Sequence, residues 1–132
     1  RYRELPEQFY VPDPSVIGVQ SKDNKQGRDF GATGTHSELI SVAIAQQATR
    51  AFKVYHDLIE VGTPRELART VLPLATYSHM FCTVSLLNLF RFITLRSHPH
   101  AQHEIRVYSD AMQELARGIA PVAVAAWEAS HD

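Results

Sequence analysis

The chain has 132 residues, 45% of them apolar and 20% charged, which is one domain's worth of polypeptide and enough to bury a real core. Thirteen basic side chains against fourteen acidic ones leave no charge excess of the kind that draws a protein onto nucleic acid or a membrane surface. The single cysteine, Cys82, excludes an internal disulfide framework and fits a reducing, cytoplasmic location.

Apolar stretches are interrupted by Arg, His or Thr well before membrane-spanning length, and no secretory leader is visible. The chain opens Arg1-Tyr2-Arg3-Glu4 without an initiator Met, so it reads as a cropped segment, a processed product or the C-terminal part of a longer protein. In chain order, residues 1–36 hold four of the six glycines and three of the seven prolines and show little periodicity. Within them, residues 8–12 predict a short strand that stops at Pro12. The polar run from Gln20 to Arg28 reads as an exposed loop, with Lys22 and Lys25 solvated. Thr35-His36-Ser37-Glu38 has capping-box spacing. Behind it Ile40, Ile44, Ala48, Ala51, Tyr55 and Leu58 share one helical face, and Gly62 supplies a left-handed stop.

Thr63-Pro64-Arg65-Glu66 then starts a second helix, with Thr63 as cap and Pro64 at the first helical position; Pro73 keeps it short. Residues 76–84, rich in β-branched and aromatic types, predict a strand. Leu86, Leu87, Leu89, Phe90, Phe92, Ile93 and Leu95 make the next segment apolar nearly all round, which predicts a helix buried on most sides. A last helix from about His100 aligns Ile105, Tyr108, Met112, Leu115 and Ile119, and Pro121 must kink or restart it. The fold class is α+β and mostly helical, a single domain over 1–132.

Several side chains carry possible chemistry. Arg69 and Arg96 each stand where a helix gives way; such arginines are ordinarily surface charges completing the helix dipole. Arg96 differs in following so apolar a helix, where a guanidinium needs acceptors that a ligand can supply. His98, His100 and His103 form a His-x-His-x-x-His run, but Pro99 breaks the geometry, no cysteine is near in sequence, and no metal is expected. They read instead as residues capping a helix start or lining a cleft. Cys82, in an apolar β-like segment with no activating base nearby, reads as a small buried hydrophobe.

Ala68-Arg69-Thr70-Val71-Leu72-Pro73, then Thr83-Val84-Ser85, then Leu95-Arg96 and His100-Ala101-Gln102-His103-Glu104-Ile105 follow one another at a spacing that resembles the C-terminal half of flavin-dependent thymidylate synthases. In that family A-R-x-V-L-P leads to T-x-N, then to a helix ending L-R and to H-A-Q-x-E-I. The correspondence is densest over residues 64–118. Arg1-Tyr2 and the residues 5–12 beyond it resemble the end of the family's signature motif, whose opening R-H-R lies outside this chain.

The resemblance implies methylation of dUMP to dTMP, with methylenetetrahydrofolate as carbon donor and FAD, reduced by NADPH, as hydride source. It also implies homotetramers with sites shared between subunits. Arg96 matches the arginine that favours ionisation of the pyrimidine at N3, the catalytic role. Arg1, Arg69 and Arg96 match residues that bind dUMP, with Arg1 and Arg69 contributed by different subunits. Ser85, Leu86, Leu87 and Arg91 match FAD-contacting positions, and His100 a recurring histidine given a supporting role. Three positions depart from the pattern: Ser85 replaces the usual Asn, Leu87 a common Arg, and Arg91 an Asn or His. They leave open a second class of function, a non-catalytic helical interaction module or inactive remnant of the same fold. A nucleic-acid partner is disfavoured, since no basic stripe exists.

Overall fold

The computed structural model describes residues 3–25, 27–29 and 36–130, and the chain divides into two compact units. The α+β, helix-rich class holds. Five α-helices are present among the described residues: α1 (Ser37–Glu60), α2 (Arg65–Ala68), α3 (Leu86–Arg96), α4 (His103–Ile119) and α5 (Pro121–Glu128). Two short strands, β1 (Val19–Gln20) and β2 (Arg28–Asp29), form a hairpin.

The first unit comprises residues 1–19 and 30–81, and α1 is its backbone. Ala48, Ala51, Phe52 and Tyr55 are buried on one face, which carries the predicted stripe and adds Phe52 to it. The other end of the stripe is open to solvent: Ile40 is exposed, as are Leu39 and Val42. Phe52, Tyr55 and Ala68 make the core, against which Phe9, Leu58, Ile59, Val71 and Leu72 pack. Phe9 stacks on Phe52 at 5.8 Å between ring centroids, and the Tyr55 hydroxyl accepts from Leu5 N–H at 3.2 Å. Complete burial of two aromatic rings, worth about 1.5–3 kcal/mol each, ties the N-terminal segment to α1.

The end of α1 follows its sequence. Gly62 takes φ 81°; its N–H donates to Ile59 O and that of Thr63 to Leu58 O, each at 2.9 Å. Paired bonds of this register form a Schellman cap, in which a left-handed glycine closes the helix. At the other end Thr35 lies outside the described residues, and His36 holds the N-cap position without a side-chain bond. Pro64 is itself the cap residue of α2, so that helix starts one position later than its sequence suggested. A 3-10 turn, Arg69–Val71, continues it.

The strands expected at 8–12 and 76–84 reduce to one antiparallel bridge, Phe9 with Thr76. It is flanked by Tyr10 N–H to Ala75 O at 2.8 Å and Tyr77 N–H to Gln8 O at 2.9 Å. Beyond it residues 78–85 have no helix or strand assignment. The β-branched and aromatic composition is there, but among the described residues no neighbouring strand completes a ladder.

The second unit comprises residues 20–29 and 82–132. Helices α3, α4 and α5 pack in succession, burying Ile93, Ser109, Ala116 and Val124. Phe90 stacks face to face on Trp127 at 4.9 Å. The Ser109 hydroxyl, wholly buried, is satisfied by Ser97 Oγ at 2.9 Å. Pro121 restarts the helix as expected: Ala120 leaves helical geometry at φ −135°, ψ 57°, and α5 begins with Pro121. Across that break Glu128 accepts from Gln113 Nε2 at 2.6 Å and from Arg117 Nη2 at 2.7 Å. The Glu128 carboxyl is held below its ordinary range, first by Gln113 and then by Arg117.

Helix α3 is not buried on most sides. Only Ile93 is buried along it, while Leu87 and Leu95 are 60% and 67% exposed. The stripe on α4 is likewise displaced: Tyr108, Met112, Leu115 and Ile119 are exposed, and Ser109 and Ala116 face the packed side. Small residues let the helices approach, and the large apolar ones are left outside.

Candidate functional site

Among the described residues of the second unit, concave surfaces include two that border α3 and α4. One, of about 740 Å³, is lined by Thr94, Leu95, Arg96, His98, His100, Ala101, Gln102 and Ile105. The other, of about 340 Å³, is an apolar groove bordered by Cys82, Leu89, Phe92, Met112 and Leu115 among others.

Arg96 ends α3. Its guanidinium makes no hydrogen bond or ion pair to any described residue, and Arg96 is among the residues lining the first cavity, so its donors are open to solvent or a ligand. The turn that follows fixes the cavity's other wall. Ser97 N–H donates to Ile93 O at 2.8 Å, and Ser97 Oγ donates to Asp110 Oδ1 at 3.2 Å. His100 N–H donates to His98 Nδ1 at 3.2 Å, and Ala101 N–H to His98 O at 2.8 Å. The two imidazoles meet edge to face at 4.9 Å. Because His98 Nδ1 accepts a hydrogen bond, its neutral form carries the proton on Nε2.

This turn occupies residues 97–102, so α4 begins at His103 rather than at His100. No group of three or more His, Cys, Asp or Glu side chains with metal-binding geometry occurs among the described residues.

Ser85, Leu86 and Leu87 lie at the opposite end of α3, and Arg91 at its middle. Ser85 is the N-cap, its Oγ accepting from Asn88 N–H at 3.4 Å. Leu86 and Leu87 are exposed in the first turn, and the exposed Arg91 reaches Asn88 Oδ1 at 3.5 Å. Ten helical positions separate Leu86 from Arg96, roughly 15 Å along the axis. Leu86 and Leu87 therefore stand well apart from the cavity that Arg96 lines.

Arg69 lies in the first unit, in the 3-10 turn after α2. Its Nη2 donates to Arg3 O at 2.6 Å, while its Nε is buried with no hydrogen-bond partner among the described residues. A buried guanidine N–H without an acceptor costs free energy unless a ligand supplies one. Arg106 Nε, on α4, has the same property and was not singled out from sequence, because an arginine one turn into an amphipathic helix has no distinguishing pattern. Arg1 lies outside the described residues. Cys82 is exposed, not the buried hydrophobe its neighbours suggested, because the segment that carries it borders the open groove.

Sequence reading also missed Asn24 and Arg28. Asn24 Nδ2 donates to His100 O at 3.0 Å, and Arg28 pairs with Glu104 of α4. Neither stands out in a polar, turn-rich stretch.

Among the described residues no helix is long and apolar enough to cross a membrane. The family described as thymidylate synthase complementing protein matches residues 1–122. The flavin-dependent thymidylate synthase of Treponema denticola is 40% identical over 130 residues, covering 97% of this chain and 48% of that protein. That of Treponema pallidum is 39% identical over 129 residues, covering 97% and 42%. That of Ehrlichia ruminantium strain Gardel is 32% identical over 127 residues, covering 96% and 43%. The chain thus spans rather less than half the length of these curated relatives. With the match running through Arg69, Ser85, Arg96 and the histidine turn, the chain belongs to the thymidylate synthase complementing protein family.

Proposed function

We propose that this chain is the nucleotide- and flavin-binding portion of an enzyme that methylates deoxyuridylate to thymidylate. The observation that carries the reading is Arg96: a guanidinium with no partner among the described residues, in the lining of a cavity that also offers His98, His100 and Gln102, inside a stretch matched to the family.

Arg96 grips the pyrimidine edge and favours loss of the N3 proton. A fixed positive charge beside an acid lowers its pKa, and electron density released into the ring makes the carbon to be methylated more nucleophilic. No covalent adduct with the enzyme is needed, so Cys82 carries no role. Arg69 and Arg1 hold the nucleotide through charge-assisted hydrogen bonds, chiefly at its phosphate. The buried Nε of Arg69, without a partner among the described residues, supports an anionic acceptor there.

The residues at the start of α3 fit a flavin. Leu86 and Leu87 offer exposed apolar surface, Arg91 adds a cation one turn further on, and Ser85 holds the helix end. When bound, reduced FAD supplies the hydride, with NADPH its source and methylenetetrahydrofolate the carbon donor. A homotetramer with sites shared between subunits, in the cytoplasm, completes the proposal; the exposed apolar faces of α3 and α4 support burial against further protein. Those faces also favour the second reading, a helical interaction module without chemistry.

Titrating the intact protein with deoxyuridylate, while recording the ultraviolet band of the ring and the flavin absorbance, separates the two. Saturable binding with the spectrum of an N3-ionised ring supports the enzyme. A colourless protein with no affinity for the nucleotide leaves the interaction module.

A further inference from the structure

We infer that the β1–β2 hairpin is a strap that positions the Arg96–His100 turn, with Asn24 and Gly27 as its working residues. The inference rests on the nucleotide reading of that cavity but adds residues distant from it in sequence. The stretch from Gln20 to Arg28 is not the loose polar loop its composition suggested. Gln20 Nε2 lies within the loop and donates to Lys25 O and Gly27 O, each at 3.1 Å, with Ser21 O at 3.3 Å. Gly27 N–H donates to Asn24 O at 2.9 Å, and Ser21 N–H to Gly27 O at 3.2 Å. One amide therefore fills the centre of the loop and satisfies carbonyls that would otherwise need water.

Two arms leave this stapled loop, and both reach the segment immediately after Arg96. Asn24 Nδ2 bonds the His100 carbonyl at 3.0 Å; only an amide nitrogen can donate to that oxygen, which settles the orientation of the side chain. Arg28 pairs with Glu104 in the first turn of α4, both side chains being partly sheltered. Both backbone polar groups of His100 are thus held: its N–H by His98 Nδ1 and its C=O by Asn24.

Gly27 gives an independent reason to think the Asn24 arm is built for this contact. A Cβ on Gly27 would lie 2.5 Å from Asn24 Nδ2, so any side chain there displaces the amide from His100. The backbone of Gly27 is not in the left-handed region, which among the described glycines only Gly18 and Gly62 occupy. The glycine is therefore needed for room rather than for φ. Such a strap sets affinity more than rate, since it fixes the wall of the cavity and donates nothing to reacting atoms.

The test compares Asn24→Ala and Gly27→Ala with Lys25→Ala as control, all in the intact protein. Lys25→Ala leaves the loop bonds in place because Lys25 contributes only its carbonyl. Amide hydrogen exchange over residues 97–104, without nucleotide, is expected to quicken about fivefold in the first two variants, the factor a single hydrogen bond confers. The Kd for deoxyuridylate by calorimetry is expected to rise about three- to tenfold, with kcat at saturation within about twofold of the parent. Unchanged exchange in both variants overturns the strap, whether or not nucleotide binds. Quickened exchange with unchanged Kd overturns its role at the cavity. If the parent protein shows no affinity for deoxyuridylate, the nucleotide reading fails, and the exchange comparison still decides whether the hairpin holds the turn.

Discussion

Replacing Arg96 by alanine separates a structural arginine from a chemical one, because the structure gives the two roles opposite signatures. The side chain is exposed and bonds no described residue, so its removal strands no buried partner; exposed changes of this kind stay within about 0.5 kcal/mol of stability. Its proposed effect on the substrate is larger. A neighbouring opposite charge lowers an acid's pKa by about 1–3 units, and each unit is about 1.4 kcal/mol. If ring ionisation limits the reaction, turnover at neutral pH falls by about ten- to a thousandfold. The assay is thymidylate formation at saturating deoxyuridylate across a range of pH, with thermal denaturation in parallel. In Arg96→Ala the ionised fraction of the ring climbs about tenfold per pH unit below its own pKa, so the defect narrows as the medium becomes alkaline. Arg96→Lys keeps the charge and loses the planar fork, so it falls between parent and alanine. Turnover that survives in Arg96→Ala, or that falls only in proportion to lost folded protein, refutes the reasoning.

Three further outcomes follow from the fold. Gly62→Ala places a Cβ at φ 81° where nothing crowds it, so the cost is backbone strain alone, about 1 kcal/mol, read as a lower denaturation midpoint; an unchanged midpoint contradicts the cap. Ser85→Ala removes the N-cap of α3 and costs about 1 kcal/mol, whereas Ser85→Asn keeps stability; equal losses in both place the importance of Ser85 somewhere other than capping. The folded-state pKa of Glu128 is depressed, so its contribution is fully present above the ordinary carboxylate range and is lost as pH falls through the lowered value. Glu128→Gln should flatten that acid limb of the stability curve, and an unaltered limb rules the linkage out.

The parts legible in the sequence are those that local chemistry decides. Gly62 ends α1 because only glycine takes φ 81° without strain, and Pro121 restarts a helix because its ring cannot continue one. Motif spacing singled out Arg96, and the structure places it in the lining of a cavity, with no partner among the described residues. The α1 stripe is buried at Ala48, Ala51 and Tyr55; what failed were the inferences about cover for residues 76–84, α3 and α4. Residues 76–84 have the composition of a strand, but a strand needs a neighbour. The apolar circumference of α3 says that its sides want covering, not what covers them, and within this chain Leu87 and Leu95 remain in solvent. Asn24 was invisible for a related reason: its bond to His100 joins residues 76 positions apart, and no periodicity encodes a contact of that span.

Those uncovered faces bear on the chemistry as well as on assembly. Two unit charges 4 Å apart interact by about 1 kcal/mol in water and by about 4 kcal/mol where the effective dielectric falls to about 20. Arg96 stands beside Leu95, which is 67% exposed, at the mouth of an open cavity, so in a lone protomer its field is largely spent on solvent. A shift of about three units in the pKa of a bound ring requires the second value, not the first. This chain supplies the cation and, through Asn24 and Ser97, the turn that aims its cavity; protein packed over α3 and α4 has to supply the low dielectric. The catalytic reading and the shared-subunit reading are therefore one physical proposition, since an arginine left in water keeps its charge but loses most of its influence on the ring.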